Sequence, residues 1–460
     1  MSDSSRKMRL GAFLWPFGHH VTAWRHPNTP DNAANDFPHY VEMAQTAERG
    51  LFDMLFVADT TGLIATDPEN ISRISYVAWM EPITLMSALS TATRHIGLAC
   101  TASTSYDQPY HIARRFGSLD IISGGRAAWN LITTANPLEA YNFSRDPHPD
   151  KDTRYRRARE FAQVVKGLWE SWDDDAFIRD KASCRFSDPD KLHILNHKGE
   201  FFSVRGPLNV ARSRQGHPVM VQAGASDDGR DLAAETADVV FTAHQSMESA
   251  KAFYADLKRR VAQLGRNPDH VKIMPGFFVT VGPTEAEAKD KFARIQALIH
   301  PDVGVRLLST FINFDLTGHP IDGPLPDIPD SKVSASRRGL ITDIARRENL
   351  TIRQLYTRIA GGRGHFQFVG TPGQVADEMQ RWFENGAADG FNVMPPILPN
   401  GLADFVDLVI PELQRRGLFR TAYEGTTLRE NLGLPWPTPT RSIRQAAGSL
   451  GVAAGNAADG

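Results

Sequence analysis

The chain has 460 residues, and its 51 Lys and Arg residues nearly balance its 53 Asp and Glu residues, for a net charge of -2. This balance gives no electrostatic basis for a nucleic-acid partner, and two cysteines are too few for a disulfide framework or a thiolate metal site. No segment has the ~20 consecutive apolar residues of a membrane span, and no apolar signal core follows the polar start MSDSSRKM. We therefore expect a cytoplasmic protein that acts on a small molecule.

Apolar runs typical of strands alternate along the chain with patterns typical of helices. The predicted strands cover residues 9–14, 52–58, 96–102, 127–132, 219–223, 239–242, 273–281 and 391–394. The predicted helices cover residues 37–49, 82–93, 109–122, 155–172, 227–236, 247–264, 285–299, 373–385 and 402–416. Eight strands in this alternation indicate a closed (β/α)8 barrel, or TIM barrel, and a doubly wound sheet is the competing arrangement. We expect the barrel, as one domain of residues 1–441.

Three segments exceed a minimal barrel. Residues 173–216 contain a predicted hairpin in KLHILNHKGEFFSVRGPLNV, with Lys198 and Gly199 at its turn. Residues 300–365 combine the Pro-rich stretch GHPIDGPLPDIPD with a helix near Thr351, and their length indicates a functional lid. Residues 442–460 are small and featureless, which predicts a disordered tail.

The segment from Thr101 to Thr134 contains two of these strands, and polar residues follow or interrupt both. Thr104 comes directly after the first strand, and Pro109 opens the helix that leads to the second. Because parallel strands end at one edge, where α/β proteins place their chemistry, Thr104 is a candidate site residue. Asn130 lies inside the apolar run AAWNLI, so its amide must bond either to a polar ligand or to a neighbouring strand.

Two further strand ends carry candidate ligand contacts. The sequence QAGASDDG follows the strand at 219–223, and a free helix N-terminus, small residues and the Ser226 hydroxyl suit a phosphate. A plain turn with Ser226 as the N-cap fits the same residues equally well. Asp59 ends the run FVAD and either accepts from a ligand N–H or caps the next turn, which is the commoner role for a lone aspartate.

His19 and His20 follow the first strand and raise the possibility of a metal site. A barrel metallohydrolase needs further His, Asp or Glu ligands at other strand ends, and those ends supply Thr, Asn and Ser, with Asp59 as the one carboxylate. We therefore expect no metal. The chain also lacks a Walker A loop, a GxGxxG at a strand end and a GxSxG elbow, so nucleotide and serine hydrolysis lose support.

Several blocks in a fixed order carry a family resemblance. They are FVAD at 56–59, SYDQPYHIARRFGSLDIISGGRAAWNLITT at 105–134, DTRYRRAREF at 152–161, VMVQAGAS at 219–226, and DGFNVMPPILPNGLADFVDLVIPELQRRGLFRTAYEGTTLRENLGL at 389–434. From about Arg9 to Leu434 the chain resembles the nitrilotriacetate monooxygenase component A group of bacterial luciferase-like, FMN-dependent monooxygenases. The resemblance implies a (β/α)8 barrel with a long lid insertion, in agreement with the strand pattern.

The resemblance also implies an activity. Such enzymes use O2 and reduced FMN, which is bound non-covalently and delivered by a separate NAD(P)H:flavin reductase, to oxygenate a small organic substrate. Their substrates include aminopolycarboxylates, aryl sulfones and long alkanes, and many members are dimers or tetramers, so we expect a homo-oligomer. Two alternatives share the fold: a deazaflavin-dependent oxidoreductase that transfers hydride, and a non-catalytic flavin-binding barrel.

The resemblance assigns cofactor contacts residue by residue. Asp59 and Thr104 would contact the flavin ring system, and Asn130 would lie against it. Tyr155, in the RY pair before a helix, and Ser226 would contact the phosphate. We expect these five contacts with FMN.

Three further residues complete the expected site. Lys151 stands where relatives often carry a histidine four residues before the tyrosine, and as a point charge it can still meet a phosphate. By resemblance His20 faces the substrate side of the flavin as an acid-base group. His319, in the lid sequence TGHPID, is the second expected catalytic histidine.

The residues near these positions suggest two kinds of substrate. Basic side chains would suit a carboxylate-rich ligand, and aromatic side chains would suit an aryl or alkyl ligand. The basic set is Arg25, His26 and Lys151, and the aromatic set is Phe13, Trp15, Phe56 and Trp79. The sequence leaves this choice open.

Overall fold

The computed structural model describes residues 6–63, 67–328 and 335–437 of the chain. The strands are β1 (Arg9–Phe13), β2 (Met54–Val57), β3 (Gly97–Ser103), β4 (Ala127–Ile132), β5 (His197–Lys198), β6 (Ser203–Val204), β7 (Val219–Gln222), β8 (Val239–Thr242), β9 (Lys272–Val281), β10 (Phe366–Gly370) and β11 (Gly390–Met394). Strands β1, β2, β3, β4, β7, β8, β9 and β11 form a closed parallel barrel, in which β11 pairs with β1. The predicted (β/α)8 barrel is confirmed.

Helices surround the barrel, and most begin at a side-chain cap or at a proline. The helices are α1 (Phe37–Arg49), α2 (Pro68–Ile71), α3 (Pro82–Ala92), α4 (Pro109–Ile122), α5 (Lys151–Trp169), α6 (Asp227–Thr236), α7 (Met247–Gln263), α8 (Glu285–Ala297), α9 (Pro301–Ile312), α10 (Ala335–Arg347), α11 (Ile352–Gly362), α12 (Pro372–Glu384), α13 (Asn400–Asp404), α14 (Ile410–Arg415) and α15 (Leu428–Asn431). A π-helical turn, Phe405–Val409, joins α13 to α14. It lies just before Pro411, whose missing N–H cannot continue the α-helical hydrogen bonds. No helix of the described residues is long and apolar enough to cross a membrane.

Two apolar layers hold the barrel together. Side chains that point inward, such as Phe56, Ala128 and Val221, form one cluster inside the barrel. Side chains that point outward, such as Leu55 and Trp129, form the main cluster with the helices. Because both faces of the strands are buried, the strands read as nearly continuous apolar runs, as is usual for parallel sheets.

The amino end of the barrel is closed by α15. Leu428 and Leu432 of this helix are fully buried and belong to the cluster inside the barrel. A Cβ atom on Gly97, the first residue of β3, would lie only 2.5 Å from Leu428 Cδ1, so glycine is required beside this leucine. The closed amino end leaves the carboxyl end of the strands for chemistry.

Strand β10 was not predicted. It pairs in parallel with the second half of β9, where Phe366 lies opposite Phe277. Strand β8 ends at Thr242, opposite Pro275, so β10 occupies the position beside β9 that β8 leaves open. Its five residues follow the lid insertion directly, and the sequence offers no period that separates them from a loop.

The predicted hairpin in residues 173–216 is present, but its turn is shifted. Lys198 lies within β5 opposite Ser203 of β6, and the Gly199 N–H donates to the Phe202 carbonyl, so the turn runs from Gly199 to Phe202. Glu160 of α5 accepts hydrogen bonds from the backbone N–H groups of Phe201 and Phe202. This carboxylate holds the hairpin against the barrel and sets the position of the turn.

The predicted lid segment contains α9, α10 and α11 in its described parts, residues 300–328 and 335–365. These helices share an apolar cluster that includes Leu308, Ile341 and Tyr356. The predicted helix near Thr351 is α11, and Thr351 caps it in a capping box with Gln354. The predicted tail, residues 442–460, lies outside the described residues.

We expect the closure by α15 to contribute measurably to stability. Leu428→Ala should lower the free energy of unfolding by about 2–5 kcal/mol, since it removes a fully buried side chain and leaves a cavity. The matched control is Leu264→Ala, at a side chain that is 53% exposed, which should change it by no more than about 0.5 kcal/mol. Urea denaturation of both variants measures this, and equal losses would contradict the role given to α15.

Candidate active site

A cavity of about 440 Å³ lies at the carboxyl end of the barrel, beneath α9. Its barrel side is formed by one residue each from β1, β8 and β11, namely Phe13, Phe241 and Met394. Its opposite side is formed by α9, through Val303, Arg306, Leu307, Thr310 and Phe311. The rest of the lining comes from loops and other helices: Trp15, His19, Val21, Asn70, Ile74, Tyr76, Arg363 and His365. A cavity of this size and apolar character is typical of a site for a small organic molecule.

His19 is one of the two histidines that line this cavity. Its Nε2 atom lies 2.8 Å from the Phe13 carbonyl oxygen, which can only accept, so Nε2 carries the hydrogen and Nδ1 is the acceptor. Burial, and after it the charge of Arg363, hold the pKa of His19 well below its usual value. The ring is therefore neutral at neutral pH, and Nδ1 can accept a proton or a hydrogen bond.

His20 lies outside the lining of this cavity. Its Nδ1 lies 2.7 Å from Thr22 Oγ1, and its Nε2 lies 3.2 Å from Gln296 Oε1 on α8. Burial lowers the pKa of His20 to about 4. Both ring nitrogens thus bind protein groups, which is the arrangement of a histidine that holds a loop in place.

His319 also lies outside the lining of the cavity, with its ring centroid 6.1 Å from that of Phe314. The structure therefore brings neither predicted catalytic histidine to the cavity, and their catalytic roles stay predictions. Within the three described ranges, no group of three or more His, Cys, Asp or Glu side chains is placed to hold a metal ion.

The residues predicted to contact a flavin ring lie at the ends of β2 and β3 and within β4. Asp59 accepts a hydrogen bond of 3.0 Å from Trp79 Nε1, and burial raises the pKa of Asp59 to about 6. Thr104 is fully buried, and its hydroxyl donates to the Ile132 carbonyl at 3.1 Å. These side chains lie beside the cavity rather than in its lining.

Asn130 points into the barrel, and its amide nitrogen and amide oxygen differ in their hydrogen bonding. Its Nδ2 donates to Thr101 Oγ1 at 2.8 Å, on the neighbouring strand. Its Oδ1 is buried without a hydrogen-bond partner among the described residues. A buried carbonyl oxygen without a donor is costly, so this atom suits a ligand N–H. The expected bond to a neighbouring strand is thus present at Nδ2, and a bond to a polar ligand stays a prediction for Oδ1.

The residues predicted to contact a phosphate converge at the start of α6. Tyr155 Oη lies 3.3 Å from Ser226 Oγ, and Ser226 also accepts from the Gly229 N–H at 3.3 Å as the N-cap. Lys151, the first residue of α5, forms an ion pair of 2.5 Å with Asp228 in the first turn of α6. Two hydroxyl groups, one ammonium group and a helix N-terminus therefore lie together.

Asn392 and His365 are two residues of this region that were not predicted from the sequence. Both polar side-chain atoms of Asn392, within β11, are buried without a hydrogen-bond partner among the described residues. The signal was available, because Asn392 interrupts the apolar run GFNVM as Asn130 interrupts AAWNLI. The His365 ring stacks on Phe241 at 5.1 Å, and Gly276 makes room for it, since a Cβ there would lie 2.2 Å from His365 Nδ1.

Arg363 is a third residue that was not predicted from the sequence. It ends α11 in the left-handed conformation, with φ of 47°. Its Nη2 donates to the His19 carbonyl at 2.7 Å and to the Tyr76 hydroxyl. A single arginine in GGRGH carries no sequence signal, because only the fold brings it beside the loop that follows β1.

Comparisons with known proteins agree with this architecture. A family model for luciferase-like monooxygenases matches residues 17–389. The chain is 50% identical to N-acetyl-S-(2-succino)cysteine monooxygenase of Bacillus subtilis (strain 168), over 95% of this chain and 99% of that protein. It is 49% identical to nitrilotriacetate monooxygenase component A of Aminobacter aminovorans, over 94% of this chain and 98% of that protein.

Solved structures give the same result. The EDTA monooxygenase from Chelativorans sp. BNC1 is 35% identical, with a TM-score of 0.81 over 94% of this chain and 99% of that one. An F420-dependent secondary alcohol dehydrogenase is 14% identical with a TM-score of 0.57, which shows the shared fold alone. The chain therefore belongs to the luciferase-like monooxygenase family, and the predicted monooxygenase function is confirmed at this level.

We expect the buried Asp59 carboxyl to make stability depend on pH. The pKa rises from 3.8 to about 6 on folding, so the folded state binds the proton more tightly and the carboxyl destabilises it increasingly as pH rises from about 4 to 6. Asp59→Asn should therefore gain stability over the parent across this window, by at most ~3 kcal/mol, and keep a constant advantage above it. Thermal denaturation from pH 4 to 7 measures the difference.

The control for this measurement is Asp190→Asn, at an exposed surface position. Its stability relative to the parent should not change over the same pH range. If Asp59→Asn behaves like this control, the Asp59 carboxyl does not titrate near pH 6.

Proposed function

We propose that this chain is the oxygenating component of a two-component monooxygenase, which receives reduced FMN from a separate NAD(P)H:flavin reductase and uses O2 to oxygenate a small organic substrate. The observation that carries the proposal is the convergence of Tyr155 and Ser226 at the start of α6, together with the buried Asn130 oxygen, which has no hydrogen-bond partner among the described residues. The Aminobacter relative is named as a component, which supports a division between oxygenase and reductase. We also propose a cytoplasmic homo-oligomer.

FMN fits the residues at this rim. Its phosphate would bind the Tyr155 and Ser226 hydroxyls and the free N–H groups at the start of α6. Lys151 would add positive charge, although its ammonium group already pairs with Asp228. A close approach is possible because Gly224 packs against Gly229, where a Cβ on Gly224 would lie 3.0 Å from the Gly229 Cα.

The flavin ring would then lie toward β2, β3 and β4. The Asn130 oxygen would accept from a ring N–H, and Asp59 would bind the ring system together with Thr104. When bound, reduced FMN supplies the electrons that activate O2. The protein need not supply a nucleophile or a metal for that chemistry.

The chain's own contribution is to exclude water and to handle a proton. Phe13, Trp15 and Phe241 give the cavity apolar walls, and α9 covers it. His19 is the buried neutral histidine of the lining, and its Nδ1 would take and return a proton while Nε2 stays bonded to the Phe13 carbonyl. We therefore propose His19 as the acid-base residue. His20 and His319 are the competing candidates for the same role.

We expect the Tyr155 hydroxyl to distinguish FMN from riboflavin. Tyr155→Phe should weaken FMN binding about tenfold, because a hydrogen bond to a charged phosphate is lost, and leave riboflavin binding unchanged. Tyr110→Phe is the matched control, since its hydroxyl lies near Pro207 and Asn209 on the hairpin side. Flavin fluorescence titrations measure the affinities of the parent and of both variants for each flavin, and equal affinities of the parent protein for FMN and riboflavin would refute the phosphate assignment.

We expect adjacent histidines to give opposite results. His19→Gln keeps a donor for the Phe13 carbonyl but loses the basic Nδ1, so product should fall by about 10²-fold while flavin oxidation continues with release of hydrogen peroxide. His20→Gln should lower the melting temperature and leave the ratio of product to peroxide unchanged. The assay contains FMN, a generic flavin reductase, NADH, O2 and the best substrate of an aminopolycarboxylate, sulfone and alkane panel.

The outcomes separate the candidate functions as well as the residues. If His20→Gln or His319→Gln lowers the ratio of product to hydrogen peroxide and His19→Gln does not, the histidine whose variant has this effect is the acid-base residue. A protein that binds no FMN and forms no product would favour the deazaflavin alternative, and one that binds FMN but forms no product would favour the non-catalytic barrel.

A further inference from the structure

The charges around the cavity are unbalanced. Its lining contains two guanidinium groups, on Arg306 and Arg363, and among the described residues it contains no aspartate or glutamate. The two arginines differ in their partners. Arg306 is neutralised from outside the lining, because its Nη1 forms an ion pair with Asp67.

Arg363 has no carboxylate partner in the described ranges. The groups that it binds are neutral: its Nη2 donates to the His19 carbonyl and to the Tyr76 hydroxyl, and its guanidinium carbon lies 4.3 Å from the centre of the Tyr76 ring. Its Nε is buried and lacks a hydrogen-bond partner among the described residues. A half-buried charge of this kind leaves N–H groups available that point to an anionic ligand.

We propose that Arg363 binds a carboxylate of the substrate, and that the substrate is an organic acid with an apolar body. This inference rests on the proposed function, because it names the substrate class of the same cavity. Because Nη2 already donates to the His19 carbonyl and the Tyr76 hydroxyl, a carboxylate would bind on the Nη1 side of the guanidinium, where the charge and the fixed N–H directions orient the acid. The contacts of Arg363 with His19 and Tyr76 hold the guanidinium in place before the substrate arrives.

The rest of the lining defines the apolar body. Trp15 packs edge-on against Tyr76 at 5.4 Å, and Phe13 packs edge-on against Phe241 at 5.5 Å. Leu307 from α9 adds an aliphatic surface. An acid held at Arg363 would therefore place its hydrocarbon part against aromatic walls, which gain from its burial. The cavity thus combines a basic side chain, which suits a carboxylate, with aromatic side chains, which suit an aryl or alkyl group.

Matched pairs of an acid and its primary amide test this proposal. Phenylacetate, 4-phenylbutanoate, 2-naphthylacetate and octanoate, each beside its amide, would be titrated calorimetrically into the full-length protein with and without FMN. We expect at least one acid to bind at least tenfold more tightly than its amide, and Arg363→Gln to abolish that preference without changing amide affinity. Arg363→Lys keeps the charge and should restore part of the preference.

The matched control is the double variant Arg306→Gln with Asp67→Asn, which removes this ion pair as a whole, leaves the net charge unchanged and should keep the preference. The proposal is overturned if no acid binds better than its amide, if Arg363→Gln retains the preference, or if the double variant removes it equally. FMN affinity, measured on the same variants, shows that they are folded. Acid binding without any FMN binding would refute the proposed function while it left the anion site intact.

Discussion

Closure of the parallel barrel is the constraint on which the site depends. Strand β9 pairs with β8 along its first half and with β11 beyond it, and β11 pairs with β1, so the barrel strands all end at one rim. Asp59, Thr104 and Ser226 are far apart in the sequence, and they lie on this rim because β2, β3, β4 and β7 are parallel neighbours whose carboxyl ends share one edge. The opposite end is filled by Leu428 and Leu432, so a ligand has one place to enter.

The rim is divided into two parts with different chemistry. The ends of β2, β3, β4 and β7 carry hydroxyl, amide and carboxyl groups and lead to the start of α6. The ends of β8, β11 and β1 carry aromatic and aliphatic side chains and are covered by α9. This division is what a polar cofactor and a more apolar substrate require if they are to meet at the centre of the barrel.

Local sequence patterns were sufficient for groups fixed within one element or between neighbouring strands. Asn130 was recognised because an amide in an apolar strand must find partners, and Ser226 because a helix must begin after it. The resemblance chose His20 over His19, and no local pattern separates these neighbours, because the Phe13 carbonyl and Gln296 of α8 determine which ring turns inward. The position of the Arg363 side chain depends on contacts such as that with Tyr76, which is 287 residues away in the sequence. No local pattern encodes such contacts.

A continuous row of contacts joins the two parts of the rim. Asp59 accepts from Trp79, whose ring lies 5.4 Å from Trp15, and Trp15 lies 5.4 Å from Tyr76, which Arg363 contacts. Arg363 in turn acts on His19, because its charge is the second cause, after burial, of the low pKa of that histidine. A carboxylate bound to Arg363 would offset that second cause and make the His19 ring a stronger proton acceptor. Substrate binding would then increase the basicity of the histidine only when an acid occupies the cavity, which would couple proton transfer to the presence of the molecule to be oxygenated.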